Sequence, residues 1–209
     1  MKEKSKKVLL LETLSLILFI VAILGWFGST LIRKTDIVQP NTELPYAHLR
    51  GIVVDEQNNI YLGVQYFGRI QMYDAQGCFQ KGWFIESDGG LFRLKTNDQG
   101  QLEVATARTN LHYTFDQNGN IISVTENSES FDNFTEINEY EVRSKDGTIY
   151  TITFPMIWPQ IIKTTIEGQS STIISIKPYS WFFIGTVPAL FCGVLAILLS
   201  SLAVKKDPQ

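Results

Sequence analysis

Hydrophobic positions along this chain fall into three regimes. From Val8 to Ile32 the residues carry no charge except Glu12, and at 1.5 Å per residue a helix of that length exceeds the roughly 30 Å hydrocarbon core of a bilayer. From Trp181 to Val204 a second uncharged run is also long enough to span. Between them the pattern changes to short β-branched and aromatic runs separated by turn formers, the signature of antiparallel strands with one buried face.

The stretch from Arg50 to Trp83 organises the middle. Ile52-Val53-Val54 gives a strand, Asp55 to Asn59 a turn, and Ile60-Tyr61-Leu62 the return strand. Gly68 then interrupts the chain. Ile70 and Met72 lie on one side of Tyr73-Asp74-Ala75-Gln76-Gly77, Cys78 and Phe79 on the other, and the glycine falls where positive φ is often needed. Two hairpins in succession predict a four-stranded meander.

Weaker copies follow. Asp74-Ala75-Gln76-Gly77 returns as Asp116-Gln117-Asn118-Gly119, and Asn59-Ile60-Tyr61 as Gly100-Gln101-Leu102, at a spacing of about forty residues. A looser third copy runs from Tyr140-Glu141-Val142-Arg143 through Asp146-Gly147-Thr148-Ile149-Tyr150 to Ile166-Glu167-Gly168. The order Gly51-Ile52-Val53-Val54-Asp55, Asn59-Ile60-Tyr61-Leu62, then Arg69-Ile70-Gln71-Met72-Tyr73-Asp74 and Gly77 resembles the NHL-type β-propeller repeat. That resemblance implies an all-β body of propeller-like four-stranded blades at about 50–86, 90–125 and 138–177. Propellers of this resemblance include extracellular lyases with a metal in the central channel and others that bind RNA.

Charge bears on both. Residues 33–177 carry 12 Lys and Arg against 18 Asp and Glu, a sign that disfavours nucleic acid. A channel metal needs several His or acidic side chains converging from different blades, whereas His48 and His112 are solitary and Asp55, Asp74 and Asp116 occupy turn positions. No catalytic residue, cofactor site or metal site is assigned, and the chain is expected to be non-enzymatic. The acidic segment after Val124 reads as an inserted, solvated loop lacking the order of a calcium loop. Cys78 lies in the β region and Cys192 in the last apolar run, so no disulfide is expected.

The expected layout is a tail at 1–7, a transmembrane helix at 8–32, a linker at 33–49, an extracytoplasmic β domain at 50–178, a second transmembrane helix at 179–204 and a tail at 205–209. Lysines before the first span and after the second place both termini in the cytoplasm of a plasma-membrane protein. A cleaved signal peptide is the rival for the first segment, but the small-x-small site is poor around Gly25 to Ser29. Glu12 reads as interfacial.

Three blades are fewer than a propeller ring needs. Completion by a second copy, completion by a partner protein, and an open arrangement capped by linker and insertion are the three solutions, the last preferred for the monomer. Functionally the reading is a membrane-anchored binding or scaffold module, with Tyr66, Phe67, Trp83 and Phe84 as candidate contacts or, alternatively, blade core. The alternative is an accessory subunit of a membrane complex acting through a smooth helix ridge at Gly185, Ala189 and Gly193.

Overall fold

The structure is a computed structural model that describes residues 6–34, 38–45, 48–126, 131–134, 138–154, 158–175 and 186–206. The chain divides into a β unit, 35–177, and a helical unit formed by 1–34 and 178–209.

The β unit holds three four-stranded antiparallel meanders. The first comprises β1 (Leu49–Val54), β2 (Ile60–Val64), β3 (Arg69–Tyr73) and β4 (Phe79–Phe84). The second comprises β5 (Phe92–Thr96), β6 (Leu102–Thr106), β7 (Leu111–Phe115) and β8 (Ile121–Glu126), and the third β9 (Glu141–Arg143), β10 (Ile149–Thr153), β11 (Gln160–Thr164) and β12 (Ser170–Ser175). This is an all-β, propeller-like architecture in which β1 lies beside both β5 and β9.

One turn chemistry is reused throughout. The Asp55 carboxylate accepts the main-chain N–H groups of Gln57 and Asn59 at 2.9 and 2.8 Å, and Asp74, Asn97 and Asp116 each accept from the second and fourth residues after themselves. A short acceptor at the strand end thereby satisfies the amides of a tight turn and stops the strand.

The first sheet is the middle one. Val53, Tyr61, Ile70 and Met72 on one of its faces form a core with Leu94, Val104, Tyr113 and Phe115 of the second sheet, and the Trp83 ring lies between Tyr61 and Phe115 at centroid distances of 6.2 and 5.7 Å. At the outer end of each seam a turn glycine closes the contact. Gly119, at φ +74, lies against the Trp83 indole, and Gly77, at φ +82, against the Ile173 carbonyl of β12. A side chain at either position would hold the two sheets apart.

The opposite face of the first sheet receives the linker as a strap. Gln71 accepts from the Leu44 N–H at 2.7 Å and donates to its carbonyl at 3.2 Å, while the Gly82 N–H of β4 donates to the Pro40 carbonyl at 2.7 Å. The linker therefore covers a free strand edge as well as a face. Arg69, 0 % exposed, directs Nη2 at the carbonyls of Gln39, Pro40 and Thr42 and lies 4.7 Å over the Phe84 ring, with no carboxylate partner among the described residues. Burial pulls its guanidinium down to about 10.

The far face of the second sheet is built differently. Strand register sets Lys95, Glu103, His112 and Thr114 where the first sheet has Val53, Tyr61, Ile70 and Met72. Phe131 and Phe134 of the insertion cover it, under the Arg93 guanidinium and the Lys95 ammonium at 4.2 and 4.4 Å. Glu139 then pairs with both Arg50 of β1 and Arg93 of β5.

In the helical unit α1 spans Lys6–Lys34 and α2 spans Thr186–Lys206. They pack antiparallel: Ser15 Oγ donates to the Ala196 carbonyl at 2.8 Å, and an added Cβ on Gly193 would lie 3.7 Å from Ala22. The buried positions on α2 are small, Ala189, Cys192, Ala196 and Ala203, at alternating spacings of three and four or their sum. Large residues such as Leu190, Phe191, Ile197 and Leu198 point outward. Small inside and large outside reverses the order of a water-soluble helix pair and matches packing in lipid. By length and composition α1 is long and apolar enough to be a membrane span or a signal sequence. Of the second expected span, 179–204, the described apolar part Ala189–Ala203 is by itself shorter than a span, and 179–185 lie outside the described residues.

Candidate functional site

The first-to-second-strand turns of all three sheets converge on one cavity. Val54 ends β1 and Asp55 and Glu56 follow it, Thr96 ends β5 and Asn97 and Asp98 follow it, and Arg143 ends β9 and Ser144 and Lys145 follow it; together with Gly100 they line a cavity of about 350 Å³. Register makes Asp55, Asn97 and Ser144 equivalent positions, since each is the first residue past its strand and accepts or donates within its own turn. The repeat therefore brings three copies of one local structure to a common mouth.

Within that frame the equivalent residues have different tasks. Asp55 is spent on the fold: its carboxylate takes four hydrogen bonds, from Gln57 N–H, Asn59 N–H, Asn59 Nδ2 and the Tyr61 hydroxyl at 3.0 Å. Burial, followed by the neighbouring Asp55 charge, pushes the Tyr61 phenol up, so it stays a donor. Ser144 Oγ donates to Asp146 at 2.5 Å, and that bond holds the Asp146 carboxyl below its ordinary value.

The charged groups one step further out face the cavity. Lys145 Nζ pairs with Glu56 at 2.5 Å across the rim, both side chains being largely exposed at 79 % and 52 %. Arg143 and Asp98 are exposed and make no ion pair with a described residue. The lining thus carries both signs of charge, with Lys145 and Glu56 paired to each other and Arg143 and Asp98 in no ion pair with a described residue.

The four aromatic candidates lie elsewhere. Phe67 is 2 % exposed with Tyr66 edge-on to it at 5.0 Å, Trp83 fills the seam between the first two sheets, and Phe84 lies beneath Arg69. Of the helix ridge, Ala189 and Gly193 face α1, and Gly185 lies outside the described residues. His112 stands 3.6 Å from Glu103 and edge-on to Phe134, and among the described residues no group of His, Cys, Asp or Glu is placed to hold a metal. Sequence reasoning missed Asp98, Arg143 and Lys145. Aligning the three turns, Asp55-Glu56, Asn97-Asp98 and Ser144-Lys145, was the signal available.

No protein-family model matches the chain, and no curated protein matches its sequence. Among solved structures it is similar to a streptogramin B lyase, at 14 % identity and a TM-score of 0.36 over 65 % of this chain and 43 % of that one. It is also similar to a protein of unknown function from Bacteroides caccae, at 13 % identity and a TM-score of 0.33 over 66 % and 53 %. The virginiamycin B lyase of Staphylococcus aureus gives 13 % and 0.35 over 65 % and 43 %. The chain spans about half or less of these proteins' lengths, and at such scores the likeness carries no argument about activity.

Proposed function

We propose that this protein is a membrane-anchored extracytoplasmic binding module, non-enzymatic, with NHL-type blades held between two spans and both termini in the cytoplasm. The observation that carries the reading is the helical unit turned inside out, small residues within and large apolar ones without, attached at both ends to a β unit with a polar cavity. Strap and insertion cap the three sheets as an open arrangement. The alternative of an accessory subunit acting through its helices is weaker, because Ala189 and Gly193 are engaged by α1.

Cys78 is exposed in the β unit and Cys192 is buried, so the native chain carries its own reporter of topology. A membrane-impermeant maleimide applied to intact cells is expected to label Cys78. Labelling only after permeabilisation would overturn the assignment.

A further inference from the structure

We propose that the cavity at the three strand ends binds a short zwitterion, a molecule carrying an ammonium and a carboxylate a few bonds apart, such as an unblocked dipeptide. The inference rests on the binding-module reading and adds the ligand class. Its lining narrows the choice by charge. A simple anion entering the cavity meets Glu56 and Asp98, and a simple cation meets Arg143 and Lys145. A ligand with both charges satisfies both sets without leaving either uncompensated. Arg143 offers a planar fork suited to a carboxylate, and Asp98 accepts from an ammonium. Neither has a competing ion pair with a described residue. Asp55 keeps its charge, but its oxygens are already taken by Gln57, Asn59 and Tyr61, which leaves Asp98 as the acceptor for the ammonium end.

Size agrees. At a liquid share of about 30 Å³ per water, a cavity of about 350 Å³ has room for about a dozen waters, or for a dipeptide with small side chains. The Lys145–Glu56 pair at the rim is solvent-exposed and therefore weak, so it opens to admit a ligand at little cost.

The test uses the full chain in detergent, with L-alanyl-L-alanine as probe and its N-acetyl and C-amide forms as controls, read by thermal unfolding and by calorimetric titration. The free dipeptide is expected to raise the midpoint in a concentration-dependent way, with each blocked form at least tenfold weaker. Arg143→Gln and Asp98→Asn should each abolish the rise while leaving the ligand-free midpoint unchanged, since both side chains are exposed. No rise with the dipeptide, an equal rise with a blocked form, or a rise that survives in both variants overturns the proposal. Maleimide labelling of Cys78 reads topology without any ligand, so failure here is distinguishable from failure of the module reading.

Discussion

A Cβ built on Gly119 would lie 2.9 Å from the indole of Trp83, so the β7–β8 turn of one sheet can rest on the outer strand of its neighbour only while residue 119 lacks a side chain. The equivalent glycines make a graded series. At Gly77 the obstacle is the Ile173 carbonyl at 2.3 Å, and at Gly168 nothing described lies within 4 Å. All three have positive φ, so alanine costs about 1 kcal/mol at each for the backbone alone. We expect Gly168→Ala to cost about that much, Gly119→Ala about 2 kcal/mol as the indole shifts, and Gly77→Ala about 3 kcal/mol or more because a carbonyl cannot yield. Urea unfolding of the three variants checks the order, and equal costs would refute the seam assignment.

Gln71 gives a second expectation. It is fully buried and serves both main-chain groups of Leu44. Gln71→Ala removes both bonds and the one to Tyr73, leaves a void and loosens the strap at its Leu44 end, a loss of about 3 kcal/mol. Limited proteolysis should then cut within 39–45 well before the rest of the β unit, and unchanged protection there would show that the strap is held by something else.

These two cases mark what the residues disclosed and what they hid. Turn glycines and acceptors at Asp55, Asp74 and Asp116 announced the hairpins, because tight turns are a local matter of φ and amide satisfaction. The β3 sequence RIQMY misleads: alternation reads Arg69 and Gln71 as facing water, and only a strap from thirty residues upstream makes them interior. The cavity was hidden for a related reason. Asp98 and Arg143 are ordinary surface residues in sequence, and their proximity comes from the packing of three separate turns.

Lys95, Glu103, His112 and Thr114 replace Val53, Tyr61, Ile70 and Met72 at the positions where the second sheet would meet a further one. Burying such a row against another sheet is unfavourable even with Lys95 paired to Glu103 at 3.0 Å, because desolvating both charges can cost more than their attraction returns. The purified full chain is therefore expected to carry one copy per detergent micelle by light scattering. A stable two-copy species, dissociated by charge reversal at Lys95, would instead favour ring completion.

The hydrogen bond from Ser144, with help from the Thr148 N–H, holds the Asp146 carboxyl below its ordinary value. A folded-state value below the unfolded one gives stability that is present above the unfolded value and lost as pH falls through the folded one. The wild-type midpoint should thus fall more steeply than that of Asp146→Asn between about pH 5 and pH 2. Parallel pH profiles for the two proteins would show that the bond contributes nothing to acid stability.

The helix pair distinguishes an anchored protein from a processed one. An added Cβ on Gly193 lies 3.7 Å from the Ala22 Cβ, inside the range of about 3.5–4.5 Å that a disulfide requires. With Cys78 and Cys192 replaced by serine, the double variant Ala22→Cys and Gly193→Cys should form an intramolecular bond in native membranes, seen as a mobility shift that reductant reverses. Ala22→Cys paired with Leu198→Cys should not, because Leu198 points outward and is 56 % exposed. If α1 were removed as a signal sequence, residue 22 would be absent from the mature chain and no shift could appear. The bond forms only if α1 is retained and α2 lies alongside it, which is the arrangement that fastens the β unit at both of its ends.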